Sequence, residues 1–266
     1  MSDYSTKAYR AFKKFVGELT ASAAGIQTAA EHVTKILASS ESDDPWRHLA
    51  KQYEIKVNGL DSDALLRSNS RLNIVSLYSG FDLFLSDFRA QYHDINHSDW
   101  KKNDSDSPFD EIYRNSSSNK KDLDDRLGAS RKATIDYYRY IRNAVVHPTQ
   151  ENKARARSFF LNNTAHLDSV RALYSMRSAP NSDQALSFHD VKLLAHLLLD
   201  VLREVDLEFD PGDAVLATLL DSKPFKKFRQ DAVRYKNALK GTLREQYGIS
   251  DLRADRVIML HLGPMS

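Results

Sequence analysis

Three side chains suited to acid/base and phosphate chemistry stand close together in the stretch YYRYIRNAVVHP, residues 137–148. They are Arg142, Asn143 and His147, and they lie at the end of an apolar helical pattern, directly before Pro148. An imidazole can give and take a proton near neutral pH. A guanidinium keeps its charge and can hold two phosphate oxygens at once. Arginine and histidine together therefore indicate phosphoryl-transfer chemistry.

Helical geometry decides which of these side chains can meet within one chain. At about 100° and 1.5 Å per residue, Arg142 and His147 lie roughly 140° and 7.5 Å apart on one ideal helix, so they do not converge. Asn143 and His147 are four residues apart and share a face, so we expect the amide to orient the imidazole. Pro148 disfavours a helical conformation at His147, so the helix is predicted to stop or kink there.

The motif IRNAVVHP, with the Phe-rich segment VSLYSGFDLFLSDF before it, resembles the HEPN family. The signature of that family is an arginine, usually followed by a polar residue, and then a histidine after a short spacer. Arg142, Asn143 and His147 match it, and the resemblance covers roughly Ala64 to Phe209. It implies a helical bundle that forms a homodimer, with the two motif helices facing each other. Arg142 of one copy could then complement His147 of the other, in a composite site.

The resemblance also implies a reaction. It is metal-independent cleavage of RNA, without any cofactor, that leaves a 2′,3′-cyclic phosphate and a 5′-hydroxyl. His147 would act as base or acid, Arg142 would stabilise the phosphorane and Asn143 would orient. Such enzymes serve as toxins or as effectors of antiviral and stress defence. In some family toxins a tyrosine two residues after the histidine is modified by a partner enzyme. Thr149 stands there in this chain, which leaves open a different regulatory protein partner.

A strongly basic segment, residues 223–244, has Phe225, Phe228 and Tyr235 interleaved with its cations. This composition could follow an RNA backbone and stack on unpaired bases. The alternative is that the aromatic residues form the buried face of a helix and the lysines lie in solvent. The residues proposed to bind RNA, one of them near the motif, are Arg139, Lys226, Lys227, Arg229 and Lys236.

Apolar residues recur at three- and four-residue steps along most of the chain, which predicts a mainly α protein with a HEPN-like helical bundle and two appended ends. The expected segments are a helical N-terminal extension (1–62), a helical core (63–210) with a polar, mobile insertion at 95–128, and a basic C-terminal extension (211–266). Only DRVIMLHL, residues 255–262, is predicted to be a strand.

Composition narrows the remaining classes of function. The chain has no cysteine, which excludes disulfides, thiolate metal sites and a cysteine nucleophile. His93 and His97 have the spacing of a zinc pair but no obvious third ligand, so no metal site is expected. No apolar run approaches the roughly 18 residues of a membrane span, so we expect a cytoplasmic protein with no membrane partner. The rival interpretation is a non-catalytic helical dimerisation or adaptor module that binds a protein partner.

Overall fold

The computed structural model describes residues 3–263, and within that range every regular element is a helix. The predicted mainly α fold is therefore confirmed. Besides a 3₁₀ helix at Lys223–Phe228, the helices are α1 (Lys7–Leu37), α2 (Pro45–Lys51), α3 (Ser62–Asn96), α4 (Pro108–Asn115), α5 (Lys120–Leu127), α6 (Ala129–Val146), α7 (Gln150–Asn162), α8 (Thr164–Leu173), α9 (Phe188–Glu208), α10 (Gly212–Leu219), α11 (Ala232–Tyr247) and α12 (Asp251–Leu262).

The chain divides into two compact units, and each is assembled from segments that are distant in the sequence. We call residues 14–81 and 128–199 the motif unit, because it contains Arg142 and His147. Residues 1–13, 82–127 and 200–266 form the second unit, which contains the basic segment. The units interleave along the chain, and the three consecutive segments expected from the sequence stay a prediction.

The core of the motif unit explains where α6 lies and how it is oriented. Ile135, Tyr138 and Ile141 are buried at three-residue steps, as the helical period requires, and α6 packs against α7 and α8. Two tyrosines of α6 use their hydroxyl groups as well as their rings. Tyr137 donates to the carbonyl of Asn181, and Tyr138 donates to the buried carboxylate of Asp190 at 3.0 Å. These bonds fix the helix that carries the motif.

The polar segment 95–128, of which all but the last residue belongs to the second unit, is more structured than its composition suggests. It contains α4 and α5, and a capping box between Ser107 and Asp110 starts α4. Its few apolar residues sit at helical spacing and are buried, so a small number of contacts anchors a mostly polar stretch. The buried apolar residues of the two helices are Phe109, Ile112, Leu123 and Leu127.

The predicted strand at 255–262 is wrong, because these residues form most of α12. Ser250 caps that helix by accepting from the backbone N–H of Arg253. Val257 and Ile258 are buried whereas Met259 is 64% exposed, which is a helical and not an alternating pattern. The β-branched pair favours a strand locally, but packing against α10 and α11 decides the outcome.

The N-terminal residues of the second unit are held by a buried carboxylate on α9. Both the backbone N–H and the hydroxyl of Thr6 donate to Asp206, and Arg203 lies 3.3 Å from the same side chain. The Thr6 hydroxyl also accepts from Tyr9 N–H at 3.1 Å, so it caps the start of α1. Burial raises the pKa of Asp206 to about 6, against the effect of these hydrogen bonds.

No helix between residues 3 and 263 is long and apolar enough to cross a membrane.

Candidate active site

The C-terminal end of α6 is a sharp, hydrogen-bonded corner, residues 142–149, which we call the motif corner. α6 ends at Val146, as Pro148 predicts, and the backbone N–H of His147 still donates to Asn143 O at 2.8 Å. The carbonyl of His147 accepts from the Asn152 side chain at 2.8 Å. Thr149 then caps α7, accepting from Asn152 N–H at 3.1 Å. The backbone of His147 is therefore fixed from both sides.

The imidazole of His147, in contrast to its backbone, is exposed. It forms no hydrogen bond or ion pair with any other side chain in residues 3–263. An exposed ring on a fixed backbone is free to meet a proton donor or acceptor that comes from outside the chain. This placement suits general acid/base chemistry on a bound substrate.

The side chain of Asn143 contacts the arginine of the motif and not the imidazole of its histidine. Arg142 Nη1 donates to Asn143 Oδ1 at 3.1 Å, and both side chains are half-buried. Within the described chain no hydrogen bond joins the Asn143 amide to the imidazole of His147. The amide therefore restrains the guanidinium here, and its expected role as orienter of His147 stays a prediction for the composite site.

Arg142 and His147 lie on different parts of the motif corner. Arg142 is inside α6, whereas His147 is the C-cap of that helix, with φ −124° and ψ 80°. On an ideal helix the two positions are roughly 140° apart, and their divergence stays a prediction. If they diverge, a site that uses both on one phosphate needs a second copy of the corner.

Arg139, the proposed RNA contact on α6, lies one turn before Arg142. Its Nε donates to Asp136 at 3.1 Å, and its guanidinium lies 5.0 Å from the centre of the Tyr140 ring. Its charge is thus partly offset by a neighbouring carboxylate. Arg139 is better placed to support the helix surface than to supply a free cation.

The basic segment divides into two parts in the structure. Lys226 and Lys227 lie exposed on the 3₁₀ helix and Arg229 lies exposed just after it, and none of the three forms an ion pair within residues 3–263. Lys236, on α11, is 2.8 Å from Asp255, which also holds Lys240 at 2.8 Å. Four of the five proposed RNA contacts thus lie in this segment, but only three of those four retain an unpaired charge.

The aromatic residues of the basic segment serve the core. Tyr235 is 8% exposed, and Phe225 and Phe228 pack against the same buried cluster. Cations also lie over one of these rings, with Arg234 at 4.3 Å and Lys227 at 5.1 Å from the centre of Phe228. The aromatic residues therefore face inwards, although they lie on two helices and not on one, and Lys226 and Lys227 face solvent.

The structure also brings together three cations that sequence reasoning missed. Arg71, Lys153 and Arg157 line a cavity of about 370 Å³ against α6. Ile141 and Val145 of α6 line it too, so the cavity lies on the side of the helix away from Asn143. Its residues come from three distant segments, and no local motif could have identified it.

One of the two histidines with the spacing of a zinc pair lies near a carboxylate. His93 Nε2 is 3.7 Å from a carboxylate oxygen of Asp99. In the described part of the chain no group of three or more His, Cys, Asp or Glu side chains could hold a metal ion.

Comparison with models of known protein families, with curated proteins and with solved structures finds no match.

Proposed function

We propose that the protein is a metal-independent endoribonuclease of the HEPN type, active as a homodimer. The observation that carries this proposal is the motif corner. It fixes the backbone of His147, leaves its imidazole exposed, and places a half-buried arginine five residues earlier, on α6. A proton carrier and a guanidinium are groups that can promote cleavage of a phosphodiester by an internal hydroxyl.

The proposed reaction uses the 2′-hydroxyl of the substrate as nucleophile. The bond from O2′ to phosphorus forms while the bond from phosphorus to O5′ breaks. One proton leaves the 2′-hydroxyl and one proton reaches O5′. His147 accepts the first as base or donates the second as acid, and water completes the other transfer. Arg142 stabilises the charge that grows on the phosphorane oxygens. The products are a 2′,3′-cyclic phosphate and a free 5′-hydroxyl, and no metal or cofactor takes part in the balance.

The divergence of Arg142 and His147 that helical spacing predicts supports a composite site. In a symmetric dimer the same surface of each chain meets its counterpart, so two motif corners can form two equivalent sites. Each site would then take Arg142 from one chain and His147 from its partner. We expect light scattering to find a dimer at micromolar concentration; a fully active monomer would contradict this arrangement.

Product analysis tests the chemistry directly. Labelled RNA incubated in EDTA should be cleaved, and its new 3′ ends should carry a cyclic phosphate. His147→Ala should be inactive. His189→Ala is the matched control, because His189 is also exposed and lies in the motif unit. Activity that needs a divalent cation, or that survives loss of His147, would overturn the proposal. A dimer that leaves RNA intact would favour the adaptor alternative.

Complementation tests the composite site separately from the chemistry. A heterodimer of His147→Ala with Arg142→Ala has one site with both residues and one site with neither. Co-expression with two tags isolates this species, and we expect it to regain up to half of the wild-type activity. Heterodimers as inactive as both parents would show that each site takes its two residues from one chain.

We also propose a biological role for this activity. An endoribonuclease of this type would act as a toxin or as an effector of antiviral or stress defence. Expression of the wild type should arrest growth of a host and degrade its RNA, whereas His147→Ala should do neither. Normal growth with intact RNA under wild-type expression would count against a toxin role.

A further inference from the structure

The cavity behind the motif corner has an excess of positive charge. Three cations line it, Arg71 of α3, Lys153 and Arg157 of α7, and the single acidic residue among its walls is Asp183. Formally these four side chains carry a net charge of +2. At about 370 Å³ the cavity lies within the range of pockets that bind small organic molecules, about 300 to 1,000 Å³.

Asp183 holds both arginines of this cavity in place. The carboxylate of Asp183 accepts from Arg157 Nε at 3.1 Å, and its backbone carbonyl accepts from Arg71 Nη2 at 3.0 Å. Asp183 thereby fixes both guanidinium groups while it neutralises at most one of them.

A buried carboxylate fixes the loop that contains Asp183, residues 181–187. Asp190, at the start of α9, is 0% exposed. It accepts from the backbone and the side chain of Asn181 at 2.8 and 2.7 Å, and from Ser187 N–H at 2.9 Å. These bonds hold residues 181 and 187, on either side of Asp183, so the wall is formed before any ligand arrives.

Most of the donor groups in the cavity have no partner in the protein. Each guanidinium uses one nitrogen, and the Lys153 ammonium forms no ion pair or side-chain hydrogen bond within residues 3–263. Three cations brought together with one carboxylate repel one another, and this repulsion lowers stability unless an anion offsets it. A phosphate monoester carries close to two negative charges at neutral pH and matches the uncompensated charge.

The rest of the lining is mainly apolar. Ile141, Val145, Pro148 and Leu186 contribute to it, and aliphatic side chains offer no hydrogen bonds to a hydroxyl-rich sugar. They suit a flat ring system instead. We propose that this cavity binds a nucleoside monophosphate, either free or as the 5′-terminal nucleotide of an RNA. The phosphate lies against Lys153 and the two arginines, and the base lies against the apolar wall.

This binding is independent of the ribonuclease proposal, and so is its test. Calorimetry on the full chain would compare adenosine and uridine 5′-monophosphates with the free nucleosides and with inorganic phosphate. A 5′-phosphorylated, 2′-O-methylated tetranucleotide and its 5′-hydroxyl form separate a terminal nucleotide from a free one, and neither can be cleaved through its 2′ oxygen. We expect at least one phosphorylated probe to bind about tenfold or more tightly than its unphosphorylated form.

A matched pair of variants assigns that binding to the cavity. Lys153→Gln and Arg155→Gln each remove one positive charge from α7, but Arg155 is exposed, pairs with Glu151 and lies outside the cavity. We expect Lys153→Gln to weaken binding about tenfold, Lys153→Arg to retain most of it, and Arg155→Gln to leave it unchanged. Circular dichroism checks that each variant is folded. If no phosphorylated probe binds, or if the two glutamine variants bind alike, the proposal is overturned.

Discussion

The motif corner and the basic segment both contain residues expected to bind RNA, but their charged side chains differ in burial and in ion pairing. At the corner, one guanidinium is half-buried and bonded to Asn143, and one imidazole is exposed on a fixed backbone. In the basic segment, Lys236, Lys240 and Arg244 are already paired with carboxylates, and Lys226 and Lys227 lie exposed. Composition therefore overestimates the charge that a basic stretch can offer, because it does not show which cations are paired.

The largest effect that this contrast predicts is the loss of His147. General acid/base catalysis is worth about 10²- to 10⁴-fold, so the cleavage rate of His147→Ala should fall by that factor. The free energy of unfolding should change by no more than about 0.5 kcal/mol, because the exposed side chain makes no core contact. Single-turnover cleavage and urea unfolding measure the two quantities. A large loss of stability would mean that the corner needs the ring for its structure.

Replacement of Arg142 by lysine should have the next largest effect. Arg142→Lys keeps the charge but loses the planar fork that also donates to Asn143. We expect a fall in the cleavage rate of about 10²- to 10³-fold, comparable with the removal of one oxyanion donor. Both residues have similar helix propensities, so thermal unfolding should be almost unchanged. Full activity with lysine would reduce Arg142 to a simple positive charge.

Stability in the unit that contains the basic segment should depend on pH through Asp206. Its pKa is raised to about 6, whereas an unfolded aspartate has a value near 3.8. The contribution of this group is therefore complete below about pH 4 and is lost as the pH rises through about 6. Asp206→Asn has no such titration. Relative to the wild type, the variant should gain about 2 kcal/mol in the free energy of unfolding between pH 4 and pH 7.

A change in activity near pH 6 has two possible sources, the chemistry at the motif corner and the folding of the unit that contains Asp206. Urea unfolding at several pH values, with the wild type and Asp206→Asn side by side, separates the two sources. If the difference in stability between the two proteins does not change with pH, the pKa of Asp206 is the same in the folded and the unfolded state.

The smallest effect is expected in the basic segment. Lys226→Glu combined with Lys227→Glu removes two unpaired cations from the 3₁₀ helix. The slope of log affinity against log salt for single-stranded RNA should then fall by about 1.4, or about 0.7 for each phosphate contact. Lys236→Gln is the matched control and should leave the slope almost unchanged, because Lys236 is paired with Asp255. An equal fall in both proteins would mean that the ion pair opens when RNA binds.

Local sequence signals predicted much of the fold and of the candidate site. The helical period identified α1, α3, α6 and α9, and Pro148 marked the end of α6 to within two residues. The same spacing predicts that Arg142 and His147 diverge, and this stays a prediction. These features depend on residues within a few positions of one another, so the chain encodes them without reference to the rest of the fold.

Long-range contacts decided the rest. Val257 and Ile258 are helical because one face of α12 packs against α10 and α11. Lys236 forms an ion pair because α12 places Asp255 beside it. Arg71, Lys153 and Asp183 line one cavity although 30 or more residues separate each from the next in the sequence. A spacing rule reaches only a turn or two along a helix, and the distance between remote segments is set by how their apolar faces pack.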